Sequence, residues 1–159
     1  MEGVTGSFRR NLEYSKQMKM KTLEDVKYIN FTSHDADGSL VALEENSEIP
    51  FEIKRIFYVK GVKTLDYRGC HSHHKTEQVL VCLNGKVTVV CHDGTSEEKY
   101  VLDKHTKGLY IPNEVWDSQV YHSSDTILLI LSNTNYDKED YIENFDDFVN
   151  LFIERIIYA

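Results

Sequence analysis

Residues 67–90 read YRGCHSHHKTEQVLVCLNGKVTVV, with the apolar runs Val79–Leu83 and Val87–Val90 on either side of Asn84-Gly85. Short runs rich in β-branched and aliphatic residues, bounded by turn residues, predict strands. Asn-Gly between them predicts a two-residue hairpin, because a type I′ turn needs positive φ at both central positions. Just ahead of the first run stand His71, His73 and His74. Side chains alternate along an extended chain, so His71 and His73 project to one face while Ser72 and His74 project to the other.

The same pattern extends outward from this stretch. From Tyr28 to Ser132 the chain alternates short β-rich segments (EKYVLD, GLYIP, SQVYH, TILLILS) with turn signals such as DADGS, ENSEIP and HDGT. That spacing predicts an all-β sandwich or barrel. After SNTNYD the period changes: Tyr141, Phe145, Phe148, Phe152 and Ile156 recur at steps of 4, 3, 4 and 4. This predicts a C-terminal helix over about 138–157, with Asp137 as its cap, Asp140 in its first turn and the acidic run 137–147 as its solvated face. Residues 1–25 carry Arg9, Arg10, Lys16, Lys19 and Lys21 without a sustained apolar period. They read as a peripheral extension to a single domain over 26–159.

Composition excludes several function classes. The chain has 159 residues, is 41% hydrophobic and carries a formal net charge of −8. An acidic chain is a poor partner for nucleic acid, whose phosphates require a basic surface. No apolar run reaches the ~18 residues of a membrane span, and residues 1–25 lack the apolar core of a signal peptide, so a cytoplasmic location is expected. Cys70, Cys82 and Cys91 form an odd set without a Cys-x-x-Cys pair, which reads as three free thiols. Locally the charge reverses: between Phe51 and Lys75, six basic side chains stand against Glu52 and Asp66. Most of that excess is a solvated face, but it leaves room for a pocket that takes a small anion.

Paired imidazoles on one face suit metal ligation, proton transfer or hydrogen bonding within a barrel mouth. The spacing is similar to the first cupin motif, with His-x-His followed by a carboxylate position that six intervening residues separate from a glycine. Here Gln78 occupies that position and Gly85 is the glycine. In the second motif, GLYIPNEVWD, Asp117 stands where cupins carry histidine. A metal site would thus have two imidazoles, an amide and a carboxylate to draw on.

Taken together, SLVALEENSEIPFEIKRIFYV, RGCHSHHKTEQVLVCLNGKVTVV, GLYIPNEVWD and NYDKEDYIENFDDF resemble the WxcM-like, FdtA-type sugar nucleotide ketoisomerases over about residues 28–150. The resemblance implies an all-β cupin jelly-roll with a C-terminal helix, assembled as a homodimer. It implies conversion of dTDP-4-keto-6-deoxyglucose to a dTDP-3-keto-6-deoxyhexose through an enediol-like intermediate, with no metal or other cofactor, for 3-amino-3,6-dideoxy sugar synthesis. His71 then serves as the general acid/base and His73 as its support or as a second proton carrier. Histidine suits that work because its ordinary pKa, about 6.5, lies near the operating pH. Arg55 and Phe57 face the cavity together. Arg68 serves the developing charge or the diphosphate, and Gln78 and Asp117 line the sugar site. Phe57 stands where such proteins commonly have tyrosine, and Asp37 where they often have arginine. The alternatives are a catalytically silent sugar-nucleotide-binding cupin and a metal-dependent cupin oxygenase.

Overall fold

A computed structural model of the chain describes residues 20–158; most of the extension expected over 1–25 lies outside the described residues. Its end packs against the rest of the protein. Thr22 caps a 3-10 turn over Leu23–Asp25: its hydroxyl accepts from the Glu24 N–H, and Asp25 accepts from the Thr22 N–H at 3.0 Å. Leu23 packs on the core.

Twelve strands follow: β1 (Lys27–Asn30), β2 (Ser33–Ala36), β3 (Gly38–Val41), β4 (Arg55–Lys60), β5 (Tyr67–His73), β6 (Gln78–Asn84), β7 (Val87–His92), β8 (Glu97–Leu102), β9 (Lys107–Ile111), β10 (Trp116–Tyr121), β11 (Ile127–Ser132) and β12 (Tyr141–Ile142). A helix, α1, spans Phe145–Tyr158. One five-stranded antiparallel sheet has the order β1-β9-β6-β11-β4 and the other β12-β5-β10-β7-β8, while β2 and β3 form a separate hairpin. Between the two sheets Leu80, Cys82, Leu109 and Ile130 meet Val87, Val89, Leu102 and Tyr121. Burying each large aliphatic side chain contributes about 1.5–3 kcal/mol, and this layer is the main core. The architecture is the cupin jelly-roll that the sequence predicts.

β6 is buried on both faces over Gln78–Cys82. Its outer face, Val79 and Val81, lies under Phe31, Ile49 and Phe51 from the segment that crosses the outside of the sheet. A strand covered on both sides reads as a continuous apolar run, as this one does.

Two local expectations are corrected. β6 and β7 do not form a hairpin: β6 pairs with β9 and β11, and β7 with β8 and β10, so Asn84-Gly85 is a corner between opposite sheets. Gly85 has φ +83°, whereas Asn84 does not have positive φ as a type I′ turn requires. A Cβ at Gly85 would sit 2.4 Å from the Thr126 hydroxyl, so the corner also needs glycine for close approach.

The C-terminal helix starts at Phe145, not near 138. Asp137 caps only a 3-10 turn, Lys138–Asp140, after which Tyr141 turns extended and pairs with His73. Asn144 begins the true helix, its side chain accepting from the Asp147 N–H at 3.0 Å. Phe145 and Phe148 then pack on Trp116 and His92 across the outer face of the second sheet.

Candidate active site

On β10 the inward residues are Asp117, Gln119 and Tyr121, all buried. Opposite them on β5, His71 pairs with Asp117 and Arg68 with Gln119. Strict alternation would put residues three apart on opposite faces. The register slips by one residue here, leaving Cys70 without a partner, and that bulge turns Arg68 and His71 to the same side. Gly69 (φ +79°) and Cys70 (φ +60°) supply the left-handed backbone. Gly69 must also be small, because a Cβ there would lie 3.1 Å from the Asp117 carbonyl oxygen and 3.2 Å from its carboxylate.

His71 and His73 share the inner face, as their spacing predicts, with ring centroids 4.9 Å apart and nearly perpendicular planes. Tyr141, delivered by β12, places its ring 5.0 Å from His71 and 4.4 Å from His73. His71 is half-buried. His73 is 4% exposed, and its Nε2 is sealed without a hydrogen-bond partner. Its Nδ1 lies 3.2 Å from Asp140 Oδ2. The same carboxylate accepts from the backbone N–H of Lys75 and Thr76 and from the Thr76 hydroxyl.

Burial alone would raise the Asp140 pKa, yet these bonds and His73 outweigh it and hold the carboxyl below the usual range. Asp140 is therefore an acceptor, and His73 must donate from Nδ1. Burial, reinforced by the neighbouring His71 charge, pushes His73 down to about 4, against the pull of Asp140. At neutral pH His73 is uncharged, with a bare Nε2.

Across the barrel, Arg55, Ser132 and Gln78 stand side by side on the inner face of the first sheet. The Arg55 guanidinium lies 4.3 Å from the Phe57 ring centroid and 5.2 Å from that of Tyr136. Arg55 makes no ion pair among the described residues, although its charge is felt at His73. Arg68 is exposed, and its charge is felt at the buried Tyr121 hydroxyl. Asp117 accepts from Gln119 Nε2 at 2.8 Å, and Gln119 accepts in turn from Tyr121 at 3.3 Å. Burial lifts the Asp117 carboxyl above the ordinary range, an effect that His71 and Gln119 oppose. Among the described residues no three His, Cys, Asp or Glu side chains form a metal-ligating group.

The fold thus brings His71, His73, Arg55, Phe57, Arg68, Gln78 and Asp117 to inward-facing positions of the two sheets. Asp37 sits at the exposed tip of the β2–β3 hairpin, apart from these sheets. Asp140 and Tyr141, which the sequence reading assigns to the C-terminal helix, Asp140 in its solvated acidic run and Tyr141 in its apolar period, belong instead to the imidazole pair. A carboxylate that meets a histidine from a different element leaves no local pattern in the sequence.

The family profile described as FdtA, WxcM-like, C-terminal, matches residues 16–152. The chain is 46% identical over 123 residues to the TDP-4-oxo-6-deoxy-α-D-glucose-3,4-oxoisomerase of Aneurinibacillus thermoaerophilus, spanning 77% of this chain and 88% of that protein. It is similar in structure to the sugar 3,4-ketoisomerase QdtA of Thermoanaerobacterium thermosaccharolyticum in complex with TDP, with a TM-score of 0.81, 36% identity and coverage of 84% of this chain and 98% of that one. A histidine-to-asparagine variant of QdtA holding TDP-4-keto-6-deoxyglucose superposes with a TM-score of 0.78 at 35% identity, covering 81% of this chain and 94% of that one.

Proposed function

Because the chain belongs to the FdtA, WxcM-like family, we propose that it is a TDP-sugar 3,4-ketoisomerase that converts dTDP-4-keto-6-deoxyglucose to a dTDP-3-keto-6-deoxyhexose. One observation carries the reading: His71 and His73 face inward 4.9 Å apart, at the end of the barrel where Arg55 is free of any carboxylate partner among the described residues.

The isomerisation moves two hydrogens. The C3 proton must leave carbon and a proton must reach C4, while the hydroxyl hydrogen on O3 is lost and O4 gains one. His71, half-buried and open to the cup, takes the C3 proton and returns one to C4 through the enediol-like intermediate. His73 supports it as a neutral imidazole. Arg55, stacked between Phe57 and Tyr136, anchors the diphosphate, and Arg68 meets negative charge from the β5 side. Gln78, beside Arg55, hydrogen-bonds the sugar, and Asp117 bounds the sugar site opposite His71.

The expected assembly is a homodimer, and the exposed Ile56 and Tyr58 on edge strand β4 suit burial against a second copy. The free thiols of Cys70, Cys82 and Cys91 suit the reducing cytoplasm. Among the described residues no helix is long and apolar enough to cross a membrane.

The test is incubation with dTDP-4-keto-6-deoxyglucose in deuterated water, followed by NMR. Formation of a 3-keto product with deuterium on carbon is expected. Unchanged substrate with no exchange at C3 removes the isomerase reading.

A further inference from the structure

His73 presents an unfinished hydrogen-bond arrangement. Its Nδ1–H is engaged by Asp140, while Nε2 is buried and unpartnered. A buried acceptor left bare is costly, and such atoms in folded proteins usually have an assigned task. Bulk water does not reach this one. The aromatic neighbours beside it are His71 and Tyr141, and of the two only His71 becomes a stronger donor during the proposed reaction, because taking the C3 proton on one ring nitrogen makes the N–H on the other part of a cation.

We propose that Asp140 is a positioning residue: it fixes His73 as the Nδ1–H tautomer, so that Nε2 accepts a hydrogen bond from His71 while His71 carries the proton taken from C3. This rests on the isomerase reading above. For the proton moved between C3 and C4 the bookkeeping is closed. The C3–H bond breaks, its proton goes to one ring nitrogen of His71, and the N–H on the other nitrogen points to His73 Nε2. No proton passes to His73 or Asp140. When the proton leaves His71 for C4, the remaining N–H is again that of a neutral imidazole, a weaker donor to His73, and the resting arrangement returns.

Three features make Asp140 suited to this task. Its carboxylate cannot swivel, because Oδ1 is held by the Lys75 N–H and Oδ2 by the Thr76 N–H and hydroxyl. The Asp140 carbonyl accepts from the His74 N–H at 2.9 Å, which ties the 3-10 turn to the end of β5. Pairing of Tyr141 with His73 fixes the register between the two segments. The orienting carboxylate and the imidazole it orients therefore move as one unit.

The tautomer can be read directly on the wild-type protein without substrate, from long-range ¹H–¹⁵N correlations of the histidine rings. His73 is expected as neutral Nδ1–H with an unprotonated Nε2; a ring protonated at Nε2 overturns the proposal. In the Asp140→Asn variant, kcat is expected to fall on the order of 10² to 10⁴-fold, with KM nearly constant and the His73 tautomer altered, because an amide no longer enforces one form. Asp140→Glu should recover part of kcat. An Asn variant with wild-type kcat, or one whose losses lie in KM with the tautomer unchanged, sinks the positioning role. Should that variant not fold, the wild-type spectrum still decides. Absence of isomerase activity in the wild type would strike the proposed reaction, whereas the wrong His73 tautomer strikes this pairing alone.

Discussion

His73 and Asp140 lie 67 residues apart in the chain and meet through a hydrogen bond of 3.2 Å, almost fully shielded from solvent. The bond joins the His-x-His strand to the segment before α1, and it gives the two imidazoles different surroundings. His73 is buried, neutral and anchored; His71 is half-buried and open to the inter-sheet space.

That division predicts the outcome of changing His71. If the imidazole moves protons and does not hold the nucleotide, as proposed, His71→Asn should abolish turnover of dTDP-4-keto-6-deoxyglucose while leaving TDP affinity within a few-fold. Calorimetric titration with TDP beside an NMR assay of turnover checks this. A parallel loss of affinity would reassign His71 to binding.

The proposed role of Arg55 as the anchor of the diphosphate predicts a loss of binding. Removing a charge-assisted hydrogen-bond partner costs about 1.5–3 kcal/mol, so Arg55→Ala should weaken TDP binding roughly 10- to 150-fold. Arg55→Lys should recover only part of that, since an ammonium lacks the planar group that stacks between Phe57 and Tyr136. For Arg68→Ala the same range is expected in kcat/KM. Unaltered TDP affinity in Arg55→Ala would remove Arg55 from the nucleotide site.

Gly69 tests the bulge. An alanine there must hold φ near +79° and press its Cβ toward the Asp117 backbone. Strain of this kind costs about 1–3 kcal/mol. Shifting the bulge also misaims Arg68 or His71, and a displacement near 1 Å can cost roughly 10²-fold in rate. Gly69→Ala should therefore lower both Tm and kcat. Full activity in a variant of lowered Tm would separate the bulge from the chemistry.

His73 sets a pH dependence of stability. Its pKa in the folded protein, about 4, lies below the unfolded value of about 6.5. The unfolded chain thus binds a proton that the native one refuses. The resulting stability is fully present above about pH 6.5 and is lost as pH falls toward 4. Between pH 7 and pH 5 this amounts to about 2 kcal/mol. Asp140 adds nothing in that window, since its carboxyl stays ionised well below it. Urea denaturation at both pH values should show the loss in wild type and a much flatter response in His73→Gln. Equal slopes would assign the effect to other groups.

Much of this was legible in the chain. Alternation along β5 places His71 and His73 on one face whatever the strand pairs with, because side-chain direction is a local property of extended backbone. The same logic joins Arg55 to Phe57, and the 3.6-residue period marks the apolar side of α1. Asn84-Gly85 does mark a turn, but one that joins strands of opposite sheets and not the two arms of a hairpin. A turn dipeptide reports backbone conformation, whereas pairing depends on which strands fill each edge, and β6 had both edges occupied by β9 and β11.

What the sequence by itself determined was the strand-rich architecture, the family resemblance and the inward pair of imidazoles, since each follows from local periodicity or from residues adjacent in the chain. Only the tertiary structure decided that Cys70 bulges out so that Arg68 joins His71, that Asp140 leaves the expected helix to bind His73, and that Tyr141 closes over both rings. These are long-range choices: a carboxylate settles where several donors converge, and those donors exist only once β5, the loop after it and the segment before α1 are packed together.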